Sequence, residues 1–148
     1  MREEKNLSIL IKRAGSMETI EEHLKNCKFD KYYKKLVKKL NEKSVIVYGT
    51  GSMFRHVLER YDLSKLNIIG ISDKKYHKNQ EGSEDFGYKI IPVNSLENYE
   101  PDYFLIATQC YTGILLGMAA ELFKDKKTKA IPLVRVPLLK ILKEIWFE

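Results

Sequence analysis

The sequence has few cysteines and no long apolar run, and both absences narrow the classes of protein to which it can belong. Its 148 residues contain two cysteines, Cys27 and Cys110, which form no disulfide framework and stand in no metal-ligand spacing. No stretch approaches the roughly 18 consecutive apolar residues of a membrane-spanning helix, and the charged, amphipathic start does not resemble a secretory signal. We therefore expect a cytoplasmic protein with no metal, no disulfide scaffold and no membrane span.

The positive charge is concentrated in the first part of the chain. Residues 1–43 hold 12 Lys and Arg against 7 Asp and Glu, whereas residues 44–148 hold 14 against 13. Apolar residues recur at helical spacing in this first segment. We interpret residues 1–43 as a basic helical extension whose lysines face solvent, with a contact to nucleic acid or to an anionic membrane as the alternative.

The apolar residues of this extension need to be buried. They include Leu24, Leu36, Val37 and Leu40, and a five-stranded domain already has its own helices for both sheet faces. We therefore expect the stripe to form a contact with a second copy of the chain. The alternative is that these helices fold back on their own sheet.

At Ser44 the pattern changes to short apolar runs that alternate with helical segments. Five runs are predicted to be buried strands, at 45–48, 67–71, 88–93, 102–107 and 129–133. Helical spacing is found at 52–61 and 114–123, and Pro137 opens a last amphipathic helix. The alternation predicts a Rossmann-like α/β domain over residues 44–148, with about five parallel strands in the order 3-2-1-4-5 and helices on both faces. The polar segment 74–87 is predicted to be a mobile loop.

A pair of glycines follows the first predicted strand. Gly49 allows a tight turn out of the strand, Gly51 lets the backbone approach a phosphate, and the next helix offers free N–H groups. Asp73 ends the second strand, where such folds place a carboxylate that accepts hydrogen bonds from ribose hydroxyls. This arrangement predicts a nucleotide site formed by Gly49, Thr50, Gly51, Ser52, Arg55, Asp73 and Thr108.

Phe54 stands where the dinucleotide fingerprint has its third glycine. Because that glycine lets the helix pack closely on the sheet, we expect Phe54 to hold the helix further out.

Four pieces of the sequence carry a resemblance to a known family. They are the glycine turn 49–51 with Arg55, segment 69–73, segment 87–93 with Leu96, and segment 101–108. Together they resemble the small N-terminal nucleotide-binding domain of membrane-bound sugar-nucleotide dehydratases and epimerases of polysaccharide biosynthesis. Similar domains occur in sugar acetyltransferases and in a redox-responsive repressor. The resemblance implies that a nucleotide or nucleotide-sugar binds at the carboxyl ends of the first, second and fourth strands.

Three hypotheses about function follow. The first is a binding module for a nucleotide or nucleotide-sugar, NAD included, that is accessory or sensory in cell-surface polysaccharide biosynthesis and has no catalytic residues of its own. The second is an NAD-dependent sugar-nucleotide oxidoreductase or epimerase, in which Asp73 would disfavour the 2′-phosphate of NADP. Tyr61 and Lys65 have the Tyr-x-x-x-Lys spacing of short-chain dehydrogenases, but their position at the end of the first helix makes chance the better explanation. The third is a regulator that contacts nucleic acid through the basic N-terminal segment.

Overall fold

A parallel sheet forms the centre of the computed structural model, which describes residues 19–108 and 112–135. The strands in those residues are β1 (Ser44–Tyr48), β2 (Asn67–Ser72), β3 (Glu84–Asp85), β4 (Tyr88–Lys89), β5 (Tyr103–Ile106) and β6 (Lys129–Pro132). Four of them form one sheet in the order β2-β1-β5-β6, and every neighbouring pair in it is parallel. β3 and β4 form a separate antiparallel pair. The prediction of an α/β fold around a parallel sheet is therefore confirmed, with four strands instead of about five.

The helices predicted at 52–61 and 114–123 are present, and two further helices precede the sheet in the described residues. They are α1 (Ile20–Asn26), α2 (Phe29–Lys39), α3 (Ser52–Arg60) and α4 (Thr112–Leu122), with 3₁₀ turns at Leu63–Lys65, Lys78–Gln80 and Val93–Asn98. α1 begins with a capping box, because the Thr19 hydroxyl accepts the N–H of Glu22 and the Glu22 carboxylate accepts the N–H of Thr19. The first 18 residues of the predicted helical extension and the helix predicted after Pro137 lie outside the described residues.

Different elements cover the two faces of the sheet. Successive residues of a strand point to opposite faces, so Val45, Val47 and Leu105 pack against α1, α2 and α3. Ile46 and Phe104 point the other way and pack under α4 and the turn Val93–Asn98. The central strands β1 and β5 are buried on both faces, which explains their continuous apolar sequence.

Of the predicted third strand, 88–93, only Tyr88–Lys89 form a strand, β4, which pairs with β3 outside the main sheet, and the order 3-2-1-4-5 is not confirmed. The N–H of Ile91 donates to the carbonyl of Ile71 at 2.8 Å, which leaves one isolated parallel bridge beside β2. The N–H of Ile90 donates instead to Ser83 at 2.8 Å. Pro92 follows directly and has no N–H to continue the ladder. The segment predicted to be a mobile loop, 74–87, instead contains a 3₁₀ turn and β3.

The apolar stripe of the N-terminal helices is buried within the same chain. Leu24, Leu36 and Leu40 are at most 5% exposed and belong to the cluster that contains Val45 and Val47. The expectation that these leucines need a second copy is therefore wrong. On this face of the sheet, α3 is the helix that connects β1 to β2, and α1 and α2 pack beside it over β1 and β5.

The packing of the residual third strand depends on the absence of a side chain at Gly70. A Cβ at that position would overlap Cδ1 of Ile91 and would lie 2.9 Å from its Cγ1. Ile91 itself is fully buried in the cluster under α4.

We predict that Gly70→Ala lowers the free energy of unfolding by about 1–3 kcal/mol, because it overpacks the contact with Ile91. Ile91→Val removes the overlapping methyl group and should cost about 0.5–1.5 kcal/mol alone. Urea unfolding of the single and double variants checks this. The double variant should be more stable than the sum of the two losses implies, and simple additivity would contradict the predicted contact.

Candidate functional site

The strand order creates a crevice at the carboxyl edge of the sheet. From β1 the chain crosses to β2 on one side, and β5 lies on the other side of β1. α3 follows β1 on one face of the sheet, whereas α4 follows β5 on the opposite face. The loops that leave β1 and β5 therefore diverge, and open α/β sheets bind ligands at such a switch point.

Gly49 allows the ends of β1 and β5 to approach each other. Its φ is +102°, and a Cβ would lie 2.9 Å from the carbonyl oxygen of Ala107 and 3.0 Å from Cγ2 of Thr108. Its N–H donates to the carbonyl of Ser72 at 2.9 Å, which ties the loop to β2 as well. The first glycine of the pair is thus required by the packing of three strand ends.

Gly51 stands in a different environment. Its φ is −83°, it is the N-cap residue of α3, and no other atom lies within 4 Å of the position that a Cβ would take. No side chain caps α3 at this end. The first turn of the helix therefore presents backbone N–H groups and the positive end of its dipole toward open space, which suits an anion.

The Asp73 carboxylate holds the glycine loop. Its Oδ2 accepts the N–H of Thr50 at 2.8 Å and the Thr50 hydroxyl at 3.0 Å, and its Oδ1 accepts the N–H of Lys75 at 3.2 Å. Partial burial acts to raise the pKa of Asp73, but these three hydrogen bonds and the Lys75 charge outweigh it and lower the pKa. Asp73 therefore lies beside the loop, as the sequence predicts. Hydrogen bonds within the protein already use three of the roughly four acceptor positions of its carboxylate.

Two cations lie against one aromatic ring beside this loop. The Arg55 guanidinium and the Lys75 ammonium are each 5.5 Å from the centre of the Phe86 ring, and the Lys75 ammonium is 3.5 Å from the carbonyl oxygen of Thr50. Neither cation forms an ion pair with a carboxylate in the described part of the chain. Both are exposed, so an anion at the loop can reach them.

Phe86 occupies a strained turn. The β3–β4 hairpin closes through Phe86 and Gly87, with φ of 54° and 82°, as a type I′ turn requires. A bulky residue rarely adopts positive φ. The ring packs edge-on against Phe54 at 5.5 Å, and the Tyr76 hydroxyl anchors the hairpin by donating to Asp85 at 2.7 Å. Phe54 is accordingly fully buried in this cluster.

Two buried hydroxyls lie at the same edge of the sheet. Ser72 ends β2 opposite Tyr48, and Thr108 follows β5. Neither Ser72 Oγ nor Thr108 Oγ1 has a hydrogen-bond partner among the described residues. Since most buried polar atoms are satisfied by protein or water, these atoms mark the floor of the crevice as incompletely satisfied.

The structure brings most of the sequence-predicted site residues to one edge. These are Gly49, Thr50, Gly51, Ser52, Asp73 and Thr108, with Arg55 one helical turn further on. Phe86, Ser72 and Lys75 are not among the residues predicted from the sequence to form the site. The polar run 79–85 followed by Phe86 and Gly87 is the local sequence signal from which a hairpin turn can be predicted.

Other candidate groups lie elsewhere or outside the described residues. The Tyr61 hydroxyl donates to Asp30 at 2.6 Å, and burial together with this carboxylate raises the pKa of Tyr61 to about 12. Cys110 lies outside the described residues. Within residues 19–108 and 112–135, no three His, Cys, Asp or Glu side chains are grouped to hold a metal ion, and no helix has the length and apolar character to cross a membrane.

The chain matches a known protein family. A family model described as C2185-like, N-terminal, matches residues 41–122, which is more than half of the chain. The match runs from just before β1 to the end of α4, so it includes the glycine loop, Asp73 and the β3–β4 hairpin. No curated protein matches the sequence at a significant level.

We predict that Asp73→Asn lowers the free energy of unfolding at pH 7 by about 1–3 kcal/mol, because hydrogen bonds to a charged acceptor are lost. The folded-state pKa of Asp73 is lowered, so its contribution is present above the unfolded pKa of about 3.9 and is lost as the pH falls through the lower folded value. Urea unfolding from pH 7 downward should show the two proteins converging in acid. Equal stability at pH 7 would mean that the loop does not depend on this carboxylate.

A second prediction concerns the turn residue Phe86. Phe86→Asn and Phe86→Ala both remove the ring, but asparagine tolerates positive φ far better than alanine. The asparagine variant should therefore be the more stable of the two by about 1 kcal/mol, as measured by thermal or urea unfolding. If the alanine variant is as stable as the asparagine variant or more stable, the result would contradict the left-handed conformation of residue 86.

Proposed function

The chain belongs to the C2185-like N-terminal family, and we propose that the carboxyl edge of its sheet binds a nucleotide or nucleotide-sugar. The observation that carries the proposal is the crevice between the ends of β1 and β5, with an uncapped helix N-terminus behind Gly51. Backbone N–H groups at such a position favour a phosphate, and the switch point favours a ligand long enough to cross the sheet edge.

The phosphate is the part of the ligand that the site explains best. It would sit before Gly51, where the space is open, and would receive hydrogen bonds from the first turn of α3. Arg55 and Lys75 form no ion pair in the described residues, so they can turn from the Phe86 ring toward this phosphate. Charge-assisted contacts of this kind are stronger than cation–π contacts at an exposed site.

The ribose has fewer protein groups available to it. Three hydrogen bonds to Asp73 come from Thr50 and Lys75, which leaves about one acceptor position for a ribose hydroxyl. In this proposal Asp73 shapes the phosphate loop first and touches the sugar second. NAD is one candidate ligand, and a nucleotide-sugar is another.

We favour binding over catalysis as the activity of this domain. The Tyr61 hydroxyl, which a dehydrogenase mechanism would need as a proton donor, is bonded to Asp30 and has a raised pKa. A sensory or accessory role in cell-surface polysaccharide biosynthesis rests on the resemblance of residues 45–108 and is the wider setting that we propose.

The test is a thermal-shift screen of the full chain with NAD, NADP, UDP-sugars, coenzyme A and S-adenosylmethionine. A true ligand at about 100 times its dissociation constant adds about 2.7 kcal/mol to stability. A nucleotide should give a shift of this size, and calorimetry should then give its affinity. No stabilisation by any phosphate-bearing member of the panel would contradict the proposal.

We predict that Gly51→Ala weakens binding of the ligand so found by about tenfold or more, equivalent to about 1.4 kcal/mol. The added methyl group enters the open space before α3, and nothing in the fold opposes it. Gly117→Ala is the matched control. Gly117 lies in α4, and a Cβ added there would also contact no atom within 4 Å outside its own helix backbone. The control should keep full affinity, and equal affinity in both variants would place the phosphate elsewhere.

A further inference from the structure

A second concentration of positive charge lies away from the glycine loop, in a groove between α2 and the segment that follows β6. The groove has a volume of about 400 Å³. Among the residues that the structure describes, its charged lining consists of Lys28, Lys31, Lys35 and Arg135, with no Asp or Glu in that set. It shares no residue with the predicted nucleotide site.

Lys31 and Lys35 share one face of α2, because residues four apart are neighbours on a helix surface. Lys28 directly precedes the helix as its N-cap residue. Arg135 comes from the other wall, three residues after the end of β6. The walls are fixed to each other, because the Tyr32 hydroxyl donates to the carbonyl of Pro132 at 2.7 Å. Four cations are thus held around one space by two elements that are 100 positions apart in sequence.

None of these cations is neutralised within the described part of the chain. No ion pair joins Lys28, Lys31, Lys35 or Arg135 to a carboxylate there. The acids nearest along the chain have other partners, since Glu21 pairs with Arg60 at 3.2 Å and Asp30 accepts from the Tyr61 hydroxyl. Like charges on a groove repel each other, and a cleft lined by one sign of charge concentrates counter-ions of the other sign.

The joint that forms the groove has an unusual backbone. Lys28 links α1 to α2 with a φ of 52° and a ψ of 50°, in the left-handed region. Only glycine, asparagine and aspartate enter this region readily, so a lysine there is strained. Strained residues are concentrated at ligand sites.

From these observations we infer that the groove is a binding site for a small phosphate-bearing molecule. Its volume lies in the range of small-molecule sites, about 300–1,000 Å³. A guanidinium binds a phosphate through two parallel hydrogen bonds, and lysines add point charges around it. A phosphate with several negative charges, such as a diphosphate or a phosphorylated metabolite, matches four cations better than a carboxylate does.

The experiment compares two charge-matched double variants of α2. Lys31→Gln with Lys35→Gln removes two groove lysines, whereas Lys34→Gln with Lys38→Gln removes two exposed lysines of the same helix that do not line the groove. Both are made in the Gly51→Ala background, so that the glycine loop contributes less. Calorimetric titration with inorganic pyrophosphate at low salt gives the affinity, and thermal unfolding verifies that each variant is folded.

We expect the groove variant to lose at least tenfold in pyrophosphate affinity and the control variant to lose less than about twofold, since charge-assisted contacts are removed only in the first. Arg135→Gln, on the other wall, should also lose affinity. Equal losses in both double variants would mean general electrostatic attraction and would overturn the site. So would tighter binding of a short DNA or RNA duplex with the same sensitivity to the groove lysines, because the occupant would then be a nucleic acid.

Discussion

The hydrogen bonds from Thr50 to the Asp73 carboxylate hold together the part of the molecule on which the candidate site depends. They join the loop after β1 to the end of β2, and the N–H of Gly49 joins the same loop to Ser72. The close contact between Gly49 and the end of β5 adds the third strand. Because the three strand ends are fixed to one another, the first turn of α3 has a defined direction. A loop held in this way needs little ordering when a ligand binds, and preorganisation lowers the entropy lost on binding.

How much of this the sequence predicts depends on the range of the contacts involved. β1, β2, β5 and β6 were found because each is a continuous apolar run, and that signal is local. The strand expected at 88–93 is shortened to β4 by contacts with other segments, because the N–H of Ile90 donates to the Ser83 carbonyl and Ile91 packs into the space beside Gly70. Pro92 is a local signal against a strand that continues to 93, because proline has no N–H to donate to a neighbouring strand. Leu24, Leu36 and Leu40 were rightly expected to be buried, but periodicity identifies a buried face without identifying the surface that buries it.

For the candidate site, too, the features that depend on local sequence could be predicted, and those that depend on long-range contacts could not. The positions of Gly51 and Asp73 at the sheet edge follow from their places after predicted strands. The partners of Asp73 do not, because a carboxylate at a strand end can accept from a ribose or from its own loop, and only the three-dimensional arrangement distinguishes them. Phe86 was missed because its ring acts through Phe54, Arg55 and Lys75, which come from two other segments. The groove beside α2 was missed for the same reason, since Arg135 joins lysines that precede it by about a hundred residues.

The distribution of charge separates the two proposed sites physically. Near the glycine loop, Arg55 and Lys75 are accompanied by Asp73 and Asp85, so the local charge is nearly balanced and binding there depends on directed backbone N–H groups. Along the groove the charged residues that the structure describes are all cationic, so attraction there depends on charge and weakens as salt screens it. A nucleotide site should therefore be selective and only moderately sensitive to salt, whereas the groove should favour the most highly charged phosphate and respond strongly to salt. The sequence alone predicts that the lysines of the N-terminal segment face solvent. Some of them line the groove because α2 packs on the sheet beside the end of β6.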